Sequence, residues 1–182
     1  TYPTVITNTF NLGENADNIH IEGIEFPSFN IANNVSVNGF LIRRCKINGN
    51  CTIAGDLSNP TTGAALIGNI LIGAINANNI TNSLFTNNLF QNSIVMSQSN
   101  SFENNVFIRV GTTSTYIFEN CSNNTIANNV FVNNTYYLIA GVGNIVQNNL
   151  IEYSSPYFGT TPVLIGNYVN VPHADILVNQ TG

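Results

Sequence analysis

Charge is what this sequence lacks most. Lysine and arginine number 4 and aspartate and glutamate 9 among 182 residues, 7% against about 25% in an ordinary soluble chain. So few cations exclude a basic nucleic-acid footprint. No apolar run approaches the roughly 18 to 20 residues of a membrane-spanning helix, so no span is expected. Tryptophan is absent, and the three cysteines, Cys45, Cys51 and Cys121, are too few for a disulfide framework. Cys45 and Cys51 flank a segment whose Asn48-Gly49 favours a turn. They read either as a local disulfide in an oxidising compartment or as buried free thiols. Proline is missing from the 95 residues between Pro60 and Pro156, as it would be where every strand is internal and uses each backbone N–H. His20 and His173 have no ligand partner at useful spacing, so neither metal nor cofactor is expected.

Asparagine takes the place of charge. There are 35, with 29 serines and threonines, while 43% of the chain is hydrophobic and able to form a core. A surface hydrated by amides and hydroxyls changes little with pH, which suits an extracellular protein. Seven Asn-x-Ser/Thr triplets, at Asn34, Asn50, Asn79, Asn120, Asn123, Asn133 and Asn179, are candidate glycosylation sites. Chance alone supplies about as many at this composition, roughly 5 or 6.

Self-similarity is the strongest signal. The pattern apolar–any–Asn/Gly–Asn–apolar–apolar occurs at 66–71, 85–90, 102–107, 126–131, 146–151 and 164–169. Its fourth position is Asn69, Asn88, Asn105, Asn129, Asn149 and Asn167, at intervals of 19, 17, 24, 20 and 18 residues. The third position holds only Gly or Asn, the residues that enter the left-handed region most cheaply, and so marks a sharp bend. Apolar residues on either side face a common interior. The following Asn then recurs at one depth in each turn of a coil, stacked about 4.8 Å apart. Each amide donates to one neighbour and accepts from the other, so an internal row satisfies itself. Two looser copies, 21–26 and 37–42, keep the glycine and lose the Asn, and residues 43–65 break the register. Asn, Gly and β-branched residues at this density exclude a helical fold, and a β-sandwich does not return one motif every 20 residues.

These segments, with NIHIEGIEF and NVSVNGFLI, resemble the right-handed parallel β-helix superfamily, the pectate-lyase-like solenoids. The likeness covers about residues 18–170 and implies an all-β, single-stranded solenoid with an internal Asn ladder. It places the six asparagines at the tight turn between the second and third sheets. Residues 1–17 and 171–182 then read as caps or as strands exchanged with a neighbour. The superfamily includes polysaccharide lyases, glycoside hydrolases, tailspikes and adhesins, so the fold leaves activity open.

The chain offers little for catalysis. Glu22 and Glu25 flank a bend and face opposite ways or adjacent sheets; Glu103 shares its column with Thr86, Ala127 and Gln147; the other acids fall at no shared phase. No catalytic residue is assigned. Arg43, Arg44 and Lys46 read as an anion contact or as a solvated, salt-bridged cluster. Phe85, Phe90, Phe102, Phe107 and Phe131 fall on the inward phase and read as core. Tyr116, Tyr136, Tyr137, Tyr153 and Tyr157 follow the repeats and are candidate contacts for a sugar or partner, or else interior rings. Two functions follow. One is a non-catalytic structural or adhesive solenoid that self-associates through its ends into a filament, surface layer or virion appendage. The other is a solenoid that binds or degrades carbohydrate.

Overall fold

The structure, a computed structural model, describes residues 4–14, 16–31, 35–53, 55–56, 58–108, 116–132, 137–139, 141–152 and 162–169. The chain winds through three faces in rotation, laying down strands of two to four residues that pair only in parallel. Among the described residues, sheet 1 has seven strands, from Phe10–Leu12 to Tyr137–Ile139. Sheet 2 has eight, from His20–Glu22 to Val163–Ile165. Sheet 3 has nine, from Thr4–Val5 to Tyr168–Val169. A small fourth pair, Thr61–Thr62 with Ile80–Thr81, lies on the way from sheet 1 to sheet 2. This is the parallel β-helix, of about seven turns.

The bend from sheet 2 to sheet 3 is the one marked by the repeat. Its first residue has positive φ in coil after coil: Gly23, Arg44, Gly68, Asn87, Asn104, Asn128, Asn148 and Gly166. The next residue turns inward, and from the third coil onward it is asparagine. The backbone N–H and Nδ2 of Asn88 both donate to Asn105 Oδ1, at 2.9 and 3.1 Å, while the other Nδ2 hydrogen reaches Leu66 O at 2.8 Å. The same three bonds recur for Asn69, Asn105, Asn129 and Asn149, and Asn167 is the last described rung. Each amide is thereby satisfied without water, which is what allows five of the six to be buried.

The structure resolves the break at 43–65. Cys45 occupies the rung before Asn69: its N–H donates to Asn69 Oδ1 at 2.9 Å, and its Sγ lies 3.8 Å from Ile21 O, where an amide would donate. The coil is intact, and only the residue type differs. Cys45→Asn is expected to extend the ladder by one rung and raise the unfolding free energy by up to about 1 kcal/mol, read from the midpoint of urea unfolding.

A second ladder lies one bend earlier, between sheets 1 and 2, and the repeat pattern does not contain it. Phe40, Ala64, Ser83, Asn100, Asn124 and Asn144 turn inward there, each five residues before a rung of the first ladder. The N–H of Ser83 donates to Asn100 Oδ1, that of Asn100 to Asn124 Oδ1, and that of Asn124 to Asn144 Oδ1, each at 3.0 Å. The looser copy at 37–42 belongs to this second bend, through Gly39 and Phe40, whereas 21–26 is in phase with the first.

Apolar columns fill the interior. Phe90, Phe107 and Phe131 stack with centroids 4.7 and 4.8 Å apart, and Phe85 stacks on Phe102 at 4.5 Å, so the expected phenylalanine core is present. The spacing is that of the strands, so flat rings repeat with the backbone. At the start, Ile6, Phe10, Ala16 and Ile19 pack over the first complete coil, with Phe10 5.8 Å from Phe26. The first two strands pair with their own chain, Thr4–Val5 on Ile24–Glu25 and Phe10–Leu12 on Phe29–Ile31. The far end differs. Leu164 belongs to the inward column of Ile21, Ile42, Leu66, Phe85, Phe102, Ile126 and Val146, all 5% exposed or less, yet is itself 52% exposed.

Candidate functional site

Three surface features carry chemistry. The first is a charged corner. Glu22 ends the first strand of sheet 2 and Arg43 stands directly beside it in register; Glu25 and Lys46 are matched likewise in sheet 3. Register alone therefore makes the ion pairs. Glu22 Oε2 accepts from Arg43 Nη2 at 2.6 Å and Nε at 2.7 Å, Arg44 reaches Oε1, and His20 Nε2 lies 3.3 Å away. Glu25 Oε1 accepts from Lys46 Nζ at 2.8 Å and from Asn48 Nδ2 at 2.9 Å. Of the two sequence readings of Arg43, Arg44 and Lys46, the salt-bridged cluster is the one observed. The two glutamates fall on adjacent sheets.

The hydrogen bond from Asn48, then that from Lys46, holds the Glu25 carboxyl below its ordinary value. A depressed carboxylate stabilises the fold above its unfolded pKa, and that contribution is lost as pH falls through the lower folded value. The melting temperature is therefore expected to hold between pH 8 and about 5 and to drop below about 4. Glu25→Gln should reduce that acid-side drop.

The second feature is a concavity of about 320 Å³ along the bend of the second ladder, lined by Asn82, Leu84, Ser99, Ser101, Asn123 and Thr125. Asn82, Ser99 and Asn123 have positive φ and successive coils stack them, so the groove runs along the solenoid axis with hydroxyls and amides and no charge. Among the described residues no group of three or more His, Cys, Asp or Glu comes together as a metal site. Glu103 keeps the column of Thr86, Ala127 and Gln147, and its Oε1 accepts from Ser101 Oγ at 2.5 Å.

The third feature is the set of bends that carry glycosylation triplets. Asn50, Asn120 and Asn123 are exposed and Asn79 half-buried, while Asn34, Asn133 and Asn179 lie outside the described residues. Asn79 Nδ2 donates to Gly55 O at 3.2 Å, so a glycan there would displace that bond.

The remaining sequence candidates divide. Tyr116 and Tyr137 are paired in register on adjacent strands of sheet 1, whereas Tyr136, Tyr153 and Tyr157 lie outside the described residues, as does His173. The disulfide reading is corrected: Cys45 and Cys51 are free and buried. Cys45 sits on the bend into sheet 3 and Cys51 in a sheet 1 strand between Phe29 and Ile75, so they face different parts of the coil. Burial raises the Cys45 and Cys51 thiols and pushes Cys121 up to about 12. All three are therefore poor nucleophiles.

The fold places the chain among the parallel β-helix solenoids. No family model matches it, and none of the curated proteins or solved structures does either. No helix among the described residues is long and apolar enough to cross a membrane.

Proposed function

We propose that the chain is a non-catalytic structural or adhesive solenoid of the extracellular space, a subunit that associates with itself through the ends of its coil. The observation that carries this reading is Leu164, half-exposed in a column otherwise sealed, with Val163 and Ile165 of the same strand 56% and 50% exposed. An open stack of parallel strands offers unpaired backbone groups and apolar side chains together, the combination that recruits another strand. Support also comes from the groups of the charged corner, which are engaged with one another, and from an amide-rich exterior whose hydration is insensitive to acid. Sedimentation velocity over a rising concentration series tests the reading. Growth of faster-sedimenting species is expected, and a strictly monomeric boundary throughout overturns it.

The uncharged axial groove favours a second reading, a carbohydrate-binding or carbohydrate-degrading solenoid. Its hydroxyls and amides match a neutral glycan better than an acidic one. A glycan array with a reducing-end assay tests it, and silence in both removes it.

A further inference from the structure

At the bend between sheets 1 and 2, the left-handed position is filled in successive coils by Gly63, Asn82, Ser99, Asn123 and Gly143, all with positive φ. Side chains therefore stand there in three consecutive coils, and glycine closes the row on either side. Asn82, Ser99 and Asn123 are all exposed. Two residues further on, an outward column of sheet 2 runs in register through Ala65, Leu84, Ser101, Thr125 and Ile145. Its hydroxyls, on Ser101 and Thr125, fall in the same window, with apolar residues before and after. These two rows are the walls of the 320 Å³ groove. The groove is thus a site that repeats over three coils and then stops.

We propose that the groove holds an extended, neutral β-1,4-linked glycan lying along the solenoid axis, one sugar against each of the three coils. This rests on the carbohydrate reading and names its ligand, direction and length. A site with a period of about 4.8 Å makes the same contact at each step only with a polymer of similar repeat. One sugar of an extended β-1,4 chain advances by close to that distance. An extended peptide advances about 3.3 Å per residue and turns the same face outward only at every second one. A peptide strand would also need backbone partners, and the N–H groups of Asn82, Ser99 and Asn123 are already donated to the next coil. Phosphates or acidic sugars would meet a lining without a cation, beside Glu103, whose carboxylate is bonded to Ser101 Oγ at 2.5 Å. The amides of Asn82 and Asn123 and the hydroxyls of Ser99, Ser101 and Thr125 both donate and accept, as sugar hydroxyls do. Leu84 offers an apolar surface to the C–H face of a ring at the first of the three coils.

Calorimetric titration with cello-, xylo- and manno-oligosaccharides of two to five units tests the site. For at least one series, affinity is expected to rise about tenfold from two units to three and to stay level beyond. Malto-oligosaccharides, whose α-linked chain coils, and oligogalacturonates, which are charged, are expected to bind at least about tenfold more weakly. Asn82→Gly/Ser99→Gly/Asn123→Gly carries the flanking glycines through the groove. Each of these positions has positive φ, so the bend accepts glycine, and binding is expected to be lost with little change in the urea midpoint. Binding that survives the triple variant, or equal affinity for two units and five, overturns the groove and leaves the carbohydrate reading standing. Failure of all three neutral β-1,4 series beside hits on other glycans in an array overturns the ligand assigned here and leaves that reading standing too. An array silent throughout, with no titration signal, overturns both.

Discussion

Asn105→Ala is expected to lower the unfolding free energy by about 3–5 kcal/mol, more than most single substitutions cost. The side chain is 1% exposed and its oxygen receives both the N–H and the Nδ2 of Asn88. Its Nδ2 serves Phe85 O at 2.8 Å and Asn129 Oδ1 at 3.0 Å. Truncation strands two donors and one carbonyl in a dry interior, each worth about 1–3 kcal/mol when unpaired, with some recovered by relaxation. The neighbouring Asn104 separates this from a general effect of the bend. It is exposed with φ of 55°, so Asn104→Gly should be close to neutral. Asn105→Asp gives a third outcome. A second carboxylate oxygen would face Phe85 O and Asn129 Oδ1, so the folded state favours the protonated acid and raises its pKa. Stability is then expected to increase as pH falls from 7 toward about 4, a range over most of which the native protein is expected to hold. Urea unfolding at several pH values reads all three variants.

Phe107→Ala is expected to cost about 3–5 kcal/mol, for a different reason. The ring is 1% exposed, stacked between Phe90 and Phe131 and 5.2 Å from Phe118, so removal leaves a void lined by three rings on both sides of one coil. Phe107→Leu fills most of that volume and should lose less than about 1.5 kcal/mol. The two substitutions also differ in reach. The Asn105 defect breaks a chain of bonds along the axis, while the Phe107 void is confined to neighbouring coils. Hydrogen exchange should therefore show amides opening over more coils in Asn105→Ala than in Phe107→Ala.

The first ladder is legible because three constraints coincide on adjacent residues. A positive φ admits Gly or Asn, the rung admits little but Asn, and the flanking positions must be apolar. Where one constraint relaxes, the signal fades. Cys45 keeps the depth and the backbone bond but not the amide, and Arg44 holds the left-handed position at φ 51°, so neither letter announces a bend. The second ladder was readable in principle, since its members stand five residues ahead of each rung, a spacing set by the three-residue strand between the bends. Phe40, Ala64 and Ser83 disguise it, because an inward position near the start of the solenoid tolerates any small or apolar group. The ion pairs of Glu22 and Glu25 are matters of register between residues 21 apart, invisible until the coil length is known. The exposure of Leu164 is less legible still. Its sequence is that of every buried coil, and it differs only in that no described strand lies beyond it.

One amide per turn also acts as a ruler. Seventeen residues separate Asn88 from Asn105, and excising Leu89 through Asn105 would place Val106 directly after Asn88 with every other rung kept in register. The molecule's length is thus quantised in steps of about 4.8 Å. Gene duplication or slippage can lengthen or shorten such a coil by whole steps, leaving its girth unchanged.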